Sequence, residues 1–196
     1  MKQFFFAAAL AVCAPIAHAA EQLSLPVLSD HLNGIKTAAA RFVQTNDDGS
    51  QATGILYVSR PGKMRFEYDA PHSGIVMATN GAVLIIDPKS NQAPETYPLR
   101  RTPLSVLLAR KVNLSAANMV VGHSFDGTAT RVRAQDPKNP EYGSIEFMFT
   151  SDPVALREWV IYDDVGGQTR IQLGPLQTGM KLDRDLFTAP SRFEDR

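Results

Sequence analysis

The chain has 196 residues, with 20 Lys and Arg against 20 Asp and Glu, a formal net charge of zero, and 44% hydrophobic residues. That balance argues against nucleic acid or an anionic membrane surface as partner, and the apolar fraction suffices for an ordinary core. Thirteen Gly and thirteen Pro, spread along the length, punctuate many short segments rather than a few long helices.

In chain order, Lys2 precedes an apolar run from Phe4 to Ala14, and Ala17-His18-Ala19 places small residues before a cut after Ala19. This is the pattern of a secretory signal peptide rather than a spanning helix, so residues 1–19 are expected to be removed and residues 20–196 to form a single exported, soluble domain. Cutting there removes one base, Lys2, and no acid, which leaves a charge of about −1. Cys13 is the only cysteine, and it follows Val12, where a lipid-modified cysteine would follow Gly, Ala or Ser. The mature chain is therefore expected to lack cysteine and to owe nothing to disulfides.

Leu25 to Ala39 places Leu28, Leu32, Ile35 and Ala39 at spacings of four, three and four, one apolar helical stripe, with Ser29 or Asp30 as candidate cap. A run of short alternating segments follows: Arg41 to Thr45, Thr53 to Ser59, Lys63 to Tyr68, Gly74 to Thr79 and Ala82 to Asp87. Asn80-Gly81 between the last two is a strong hairpin signal. Gly54 to Tyr68 stands out, because Leu56, Val58 and Arg60 fall on one face of the first segment and Met64, Phe66 and Tyr68 on one face of the second. The result is a greasy surface with a single guanidinium at its rim.

A second short apolar helix is expected from Thr102 to Arg110, with Thr102 as N-cap, Pro103 at the first helical position, and Leu104, Val106, Leu107 and Leu108 within it. Met119 to Asp126, Thr128 to Ala134, Ser144 to Thr150, Leu156 to Tyr162 and Thr169 to Leu173 resume the strand rhythm, with Asp126-Gly127 and Gly166-Gly167 as turns. The pattern predicts a mainly β, α+β chain of about 11 antiparallel strands, curled into a barrel or half-barrel. The apolar faces carrying Leu56, Val58, Ile75, Met77, Leu84 and Ile86 read as ordinary core or as the lining of a cavity. The two helices read either as plugs or as lids.

Catalytic signals are weak. Gly122-His-Ser124-Phe-Asp126-Gly127 approximates a nucleophile elbow, but the elbow needs a strand-to-helix turn and a small residue where Asp126 stands. His31, His72 and His123 are far apart, with no metal-ligand spacing. No metal, cofactor or catalytic residue is called for.

The ordered set Phe42-Val-Gln44, Gly54, Val58-Ser-Arg60-Pro61-Gly62, Phe66-Glu-Tyr68, Pro71, Asn80-Gly81, Thr102-Pro103-Leu104, Leu107-Leu108 and Asp185-Leu-Phe187 before Pro190 resembles the LolA family of outer-membrane lipoprotein carriers. The resemblance implies an incomplete antiparallel barrel whose concave apolar face is covered by helices acting as a lid. It also implies a periplasmic, non-enzymatic, monomeric chaperone without stable membrane insertion. Such a carrier takes acylated lipoproteins from an inner-membrane ABC-type releasing complex to an outer-membrane receptor. Carried over to its matching positions, the resemblance makes Arg60 the latch that holds the lid closed and puts Met64 at the family's interior aromatic position; taken with the apolar alternation, it makes Leu56, Val58, Met64, Phe66, Tyr68, Ile75, Met77, Leu84 and Ile86 the expected lipid-binding lining. Leu28, Leu32, Ile35, Leu104, Leu107 and Leu108 become the lid helices' inward face. Two other classes stay open: a lipid- or lipoprotein-sensing regulatory domain with the same cavity, and an envelope enzyme acting on lipids, for which Ser124 would be the nucleophile to test.

Overall fold

The computed structural model describes residues 21–87, 89–90 and 92–189; the expected leader and its cleavage site lie outside them. Twelve strands form one antiparallel sheet: β1 Thr37–Thr45, β2 Gln51–Ser59, β3 Lys63–Tyr68, β4 Ile75–Thr79, β5 Ala82–Ile86, β6 Glu95–Pro98, β7 Val120–Phe125, β8 Ala129–Gln135, β9 Ser144–Ser151, β10 Val154–Tyr162, β11 Gln168–Leu173 and the two-residue β12 Gln177–Thr178. The order β6-β5-β4-β3-β2-β1-β11-β10-β9-β8-β7 joins two meanders through the β1–β11 pair, with β12 also on β1. Strands β6 and β7 are the edges, so the sheet is an open, curved half-barrel.

Register decides which side chains share the concave face. Leu56 lies opposite Phe66 and Val58 opposite Met64, and the same rungs continue to Ala38 on β1 and to Val76, Ala78 and Val83 on β4 and β5. On the other meander the matching rung runs Val132, Phe147, Trp159, Ile171. All but Val76, which is partly buried and packs against them, form one buried cluster that also holds Leu28, Leu32, Ile35, Leu104, Val106, Leu107 and Leu108 from the helical pieces. Burying that many large apolar side chains, at about 25 cal/mol per Å² removed from water, is what pulls the helical pieces onto the sheet.

Gly54 makes this packing possible. A Cβ there would collide with the carbonyl of Glu67 and stand 2.7 Å from Cε1 of Phe42. The missing side chain lets the Phe42 ring seat edge-on against Tyr68, centroids 5.3 Å apart, and against Phe66 at 5.1 Å.

Several expectations need correction. Helix α1 is Leu25–Gly34 rather than a helix reaching Ala39, which belongs to β1. Gly34 is a poor helix former, and the following residues gain more by pairing with β2 along the whole of β1. Its N-cap is Ser24, while the hydroxyl of Ser29 donates back to the carbonyl of Leu25 within the helix. The second helix is a single turn, α2 Leu104–Leu107, preceded by a 3-10 turn Leu99–Arg101. Pro103 holds the N-cap position, and Thr102 Oγ1 donates to the carbonyl of Leu99.

Ile75, Met77, Leu84 and Ile86 do not face the concave side. Ile75 and Met77 lie opposite Glu67 and Arg65, and Ile86 and Leu84 lie opposite Ile75 and Met77, which puts all four on the convex face. Met77 and Ile86 are nonetheless buried. A 3-10 turn Arg184–Phe187 lies on this side of β3 and β4, tied by Arg65 Nη1 donating to the carbonyl of Leu186 (3.1 Å) and Thr79 Oγ1 to that of Phe187 (2.9 Å). Across the other meander the convex face is polar: Glu158, only 3% exposed, accepts from Arg170 Nη1 at 2.5 Å and Arg131 Nη1 at 3.5 Å.

Candidate functional site: a lidded apolar face

The covering of the concave face, the expected lid, has two parts, and polar side chains knit them together. Asn33 in the last turn of α1 donates through Nδ2 to the carbonyl of Val112 (2.8 Å) and accepts from the Val112 amide (2.9 Å). The hydroxyl of Ser29 accepts from the amide of Leu114 (3.0 Å). Helix α1 and the segment after α2 are thereby bound into one covering. The inward side chains Leu28, Leu32, Ile35, Leu104, Leu107 and Leu108 are all buried in the common core.

Arg60 stands at the end of β2, where the chain turns through Pro61 and Gly62, the latter at φ +76°. Its Nη1 donates to the carbonyl of Leu32 at the C-terminal end of α1, where backbone carbonyls run short of partners. Its Nη2 donates to the carbonyl of Ala109 beyond α2 (2.7 Å) and reaches Asn33 Oδ1 at 3.4 Å. One planar fork therefore touches both halves of the lid, a geometry that suits a guanidinium and not an ammonium. Two backbone bonds support it: the amide of Arg60 to the carbonyl of Lys36 (2.8 Å), and that of Gly62 to Leu108 (3.0 Å). Among the described residues no carboxylate pairs with Arg60, so the contacts are charge to neutral dipole. Burial pulls its pKa below the ordinary arginine value.

Beneath the lid, Leu56, Val58, Met64 and Phe66 are buried in the concave core, and Tyr68 packs against its margin. The Tyr68 hydroxyl donates to Gln44 Oε1 at 2.6 Å, and burial pushes its phenol up to about 12. His31 of α1 sits edge-on to Phe149, centroids 5.8 Å apart, and burial lowers its pKa. Side chains fill the interior, with Phe42, Phe147, Phe149 and Trp159 nearly inaccessible. A cleft of about 240 Å³ opens beside α2, between Val106, Ala109 and Val112 on one side and Met119 and Pro137, in the loops that flank β7 and β8, on the other. A chain entering the concave face must displace the covering.

The family model described as outer membrane lipoprotein carrier protein LolA matches residues 33–190. The chain belongs to the LolA family. The outer-membrane lipoprotein carrier protein of Pseudomonas aeruginosa PAO1 is 28% identical over 192 residues, covering 93% of this chain and 91% of the relative. That of Chromohalobacter salexigens is 26% identical over 167 residues, covering 80% and 78%. Among solved structures, the LolA superfamily protein NE2245 from Nitrosomonas europaea aligns over 85% of this chain and 98% of its own, at 8% identity and a TM-score of 0.44.

The residues that tie the two parts of the covering together are not evident in the sequence. Asn33 and Ser29 are polar positions on an otherwise apolar helix, but their partners lie 79 and 85 residues away. Val76, Ala78 and Val83 hold the concave positions on β4 and β5 where the apolar pattern points to their neighbours. Extending the Phe66 rung across the β3–β4 hairpin would have found them.

Proposed function

We propose that this chain works in the periplasm, after removal of residues 1–19, as a carrier that shelters the acyl chains of lipoproteins. In this reading it receives cargo from an inner-membrane ABC-type releasing complex and surrenders it to an outer-membrane receptor. It acts as a monomer, performs no covalent chemistry and does not insert stably in a membrane. Arg60, lying across both halves of the lid, is the observation that carries the reading.

The energetics support it. Each buried CH₂ is worth about 0.8 kcal/mol, so a lipid with two or three long chains does not cross water unaided. A carrier must bury those chains and still give them up without ATP, so the binding state has to be opposed by something. A lid that closes over its own apolar core opposes it: the apparent affinity falls by the fraction of molecules that are open. Arg60 sets that fraction, and Leu56, Val58, Met64, Phe66 and Tyr68 supply the surface the chains cover.

The test is release. Inner-membrane vesicles bearing the releasing complex and a labelled lipoprotein are given ATP with and without the mature protein. Soluble lipoprotein should appear only when the protein is present; its absence at any protein concentration would refute the carrier role.

A further inference from the structure

Two buried donors lack a hydrogen-bond partner among the described residues, Arg60 Nε and Trp159 Nε1. The first belongs to a guanidinium already engaged with the lid. The second is different in kind. Trp159 is the only tryptophan of the chain and is 1% exposed. It lies on the concave rung between Phe147 and Ile171, and the Phe66 ring crosses it at 74°, centroids 6.4 Å apart, from the opposite meander. A purely apolar lining would be served by a phenylalanine or leucine there. An indole N–H held away from water with nothing to donate to carries a desolvation cost that a bound acceptor would relieve, and tryptophan in a buried site ordinarily finds such an acceptor.

Resting on the carrier reading, we propose that Trp159 Nε1–H is the specificity donor of the concave face, and that it bonds to an acyl carbonyl of the cargo when the lid is open. Hydrocarbon alone brings no acceptor to that place. An acyl chain brings one by definition, at the ester or amide that joins it to its head. The protein therefore distinguishes acylated heads from equally greasy chains joined by ether linkages, and it fixes how deep the chain seats by fixing where the carbonyl stops.

Two synthetic lipopeptides test this, one carrying two palmitoyl ester chains on its glyceryl-cysteine head, the other the matching hexadecyl ethers. Titration calorimetry with the mature protein should show the ester form binding about threefold to tenfold more tightly, the range one net hydrogen bond supplies. Trp159→Phe should abolish the difference while still binding both. Emission from the single indole should lie further to the red with the ester probe bound than with the ether probe bound, because only the ester brings a carbonyl to the indole N–H, a readout that holds even where the variant folds poorly. Equal affinity of the wild-type protein for the two probes, or a preference that survives Trp159→Phe, would overturn the inference and leave the carrier reading standing. Binding of neither probe would overturn both.

Discussion

Replacing Arg60 with leucine removes a charge and three hydrogen bonds while keeping an apolar stem. The Leu32 carbonyl retains the amide of Ile35 as a partner, so the net loss falls mainly on the Ala109 carbonyl and on Asn33. A hydrogen bond to a charged group is worth about 1.5–3 kcal/mol, and part of that is returned because the guanidinium no longer has to be desolvated. A net weakening of about 2–3 kcal/mol in lid closure corresponds to roughly 30- to 150-fold more open molecules. The Gly62 amide, bonded to the Leu108 carbonyl, reports closure directly. Its hydrogen-exchange protection should fall by that factor, and acyl ligands should bind more tightly, by no more than the same factor. The variant is expected to accept lipoprotein and to pass it on poorly. Unchanged protection at Gly62, together with normal transfer to outer membranes, would refute the latch.

Met64→Glu places a carboxylate at a position 1% exposed in the concave core and should cost more than about 3 kcal/mol of stability; in any folded fraction, cargo binding should be lost, and undiminished binding would show that Met64 does not line the site. Gly54→Ala should destabilise the chain sharply in urea, because the Glu67 carbonyl cannot retreat from an added Cβ without disturbing the β2–β3 pairing, and the Phe42 ring would have to leave its seat against Phe66 and Tyr68; a midpoint equal to that of the parent would contradict this account of the aromatic cluster. Hydrogen bonds from the Thr128 hydroxyl and the Ala129 and Thr128 amides hold Asp126 at about 2, below its ordinary 3.8. A depressed carboxylate stabilises the fold above its unfolded pKa and ceases to as pH falls through the folded one. Urea midpoints should accordingly decline between pH 4 and 2, less so in Asp126→Asn, and an equal decline in both would exclude this turn as a contributor.

The half-barrel was legible because its hairpins carry their own chemistry: Asn80-Gly81 and Asp126-Gly127 both lie in tight turns, with the glycines at positive φ. Strand β6 was not, since Pro94 and Pro98 bracket it and only its edge position tolerates them. The end of α1 is hidden in the sequence because Ile35 and Ala39 continue the apolar stripe, and helical spacing alone cannot detect that β1 has already begun to pair. On β4 and β5 both alternating sets are apolar, Ile75 and Met77 on one side and Val76 and Ala78 on the other. The segment around Phe187 covers the convex side as the lid covers the concave one, so period two had no polar face by which to choose. Arg60 was visible as a lone charge in an apolar row. Its partners were not, for Leu32 and Ala109 lie 28 and 49 positions away, and only the folding of lid onto sheet brings them to one guanidinium.

The central claim is that the concave face carries acyl chains, and the most direct measurement is what the protein holds when taken from the periplasm. Native purification followed by mass spectrometry should find a chain beginning at Ala20, without lipid of its own, and a soluble one-to-one complex with an acylated protein. Protein that is always empty, and that strips no lipoprotein from energised inner-membrane vesicles, would contradict it.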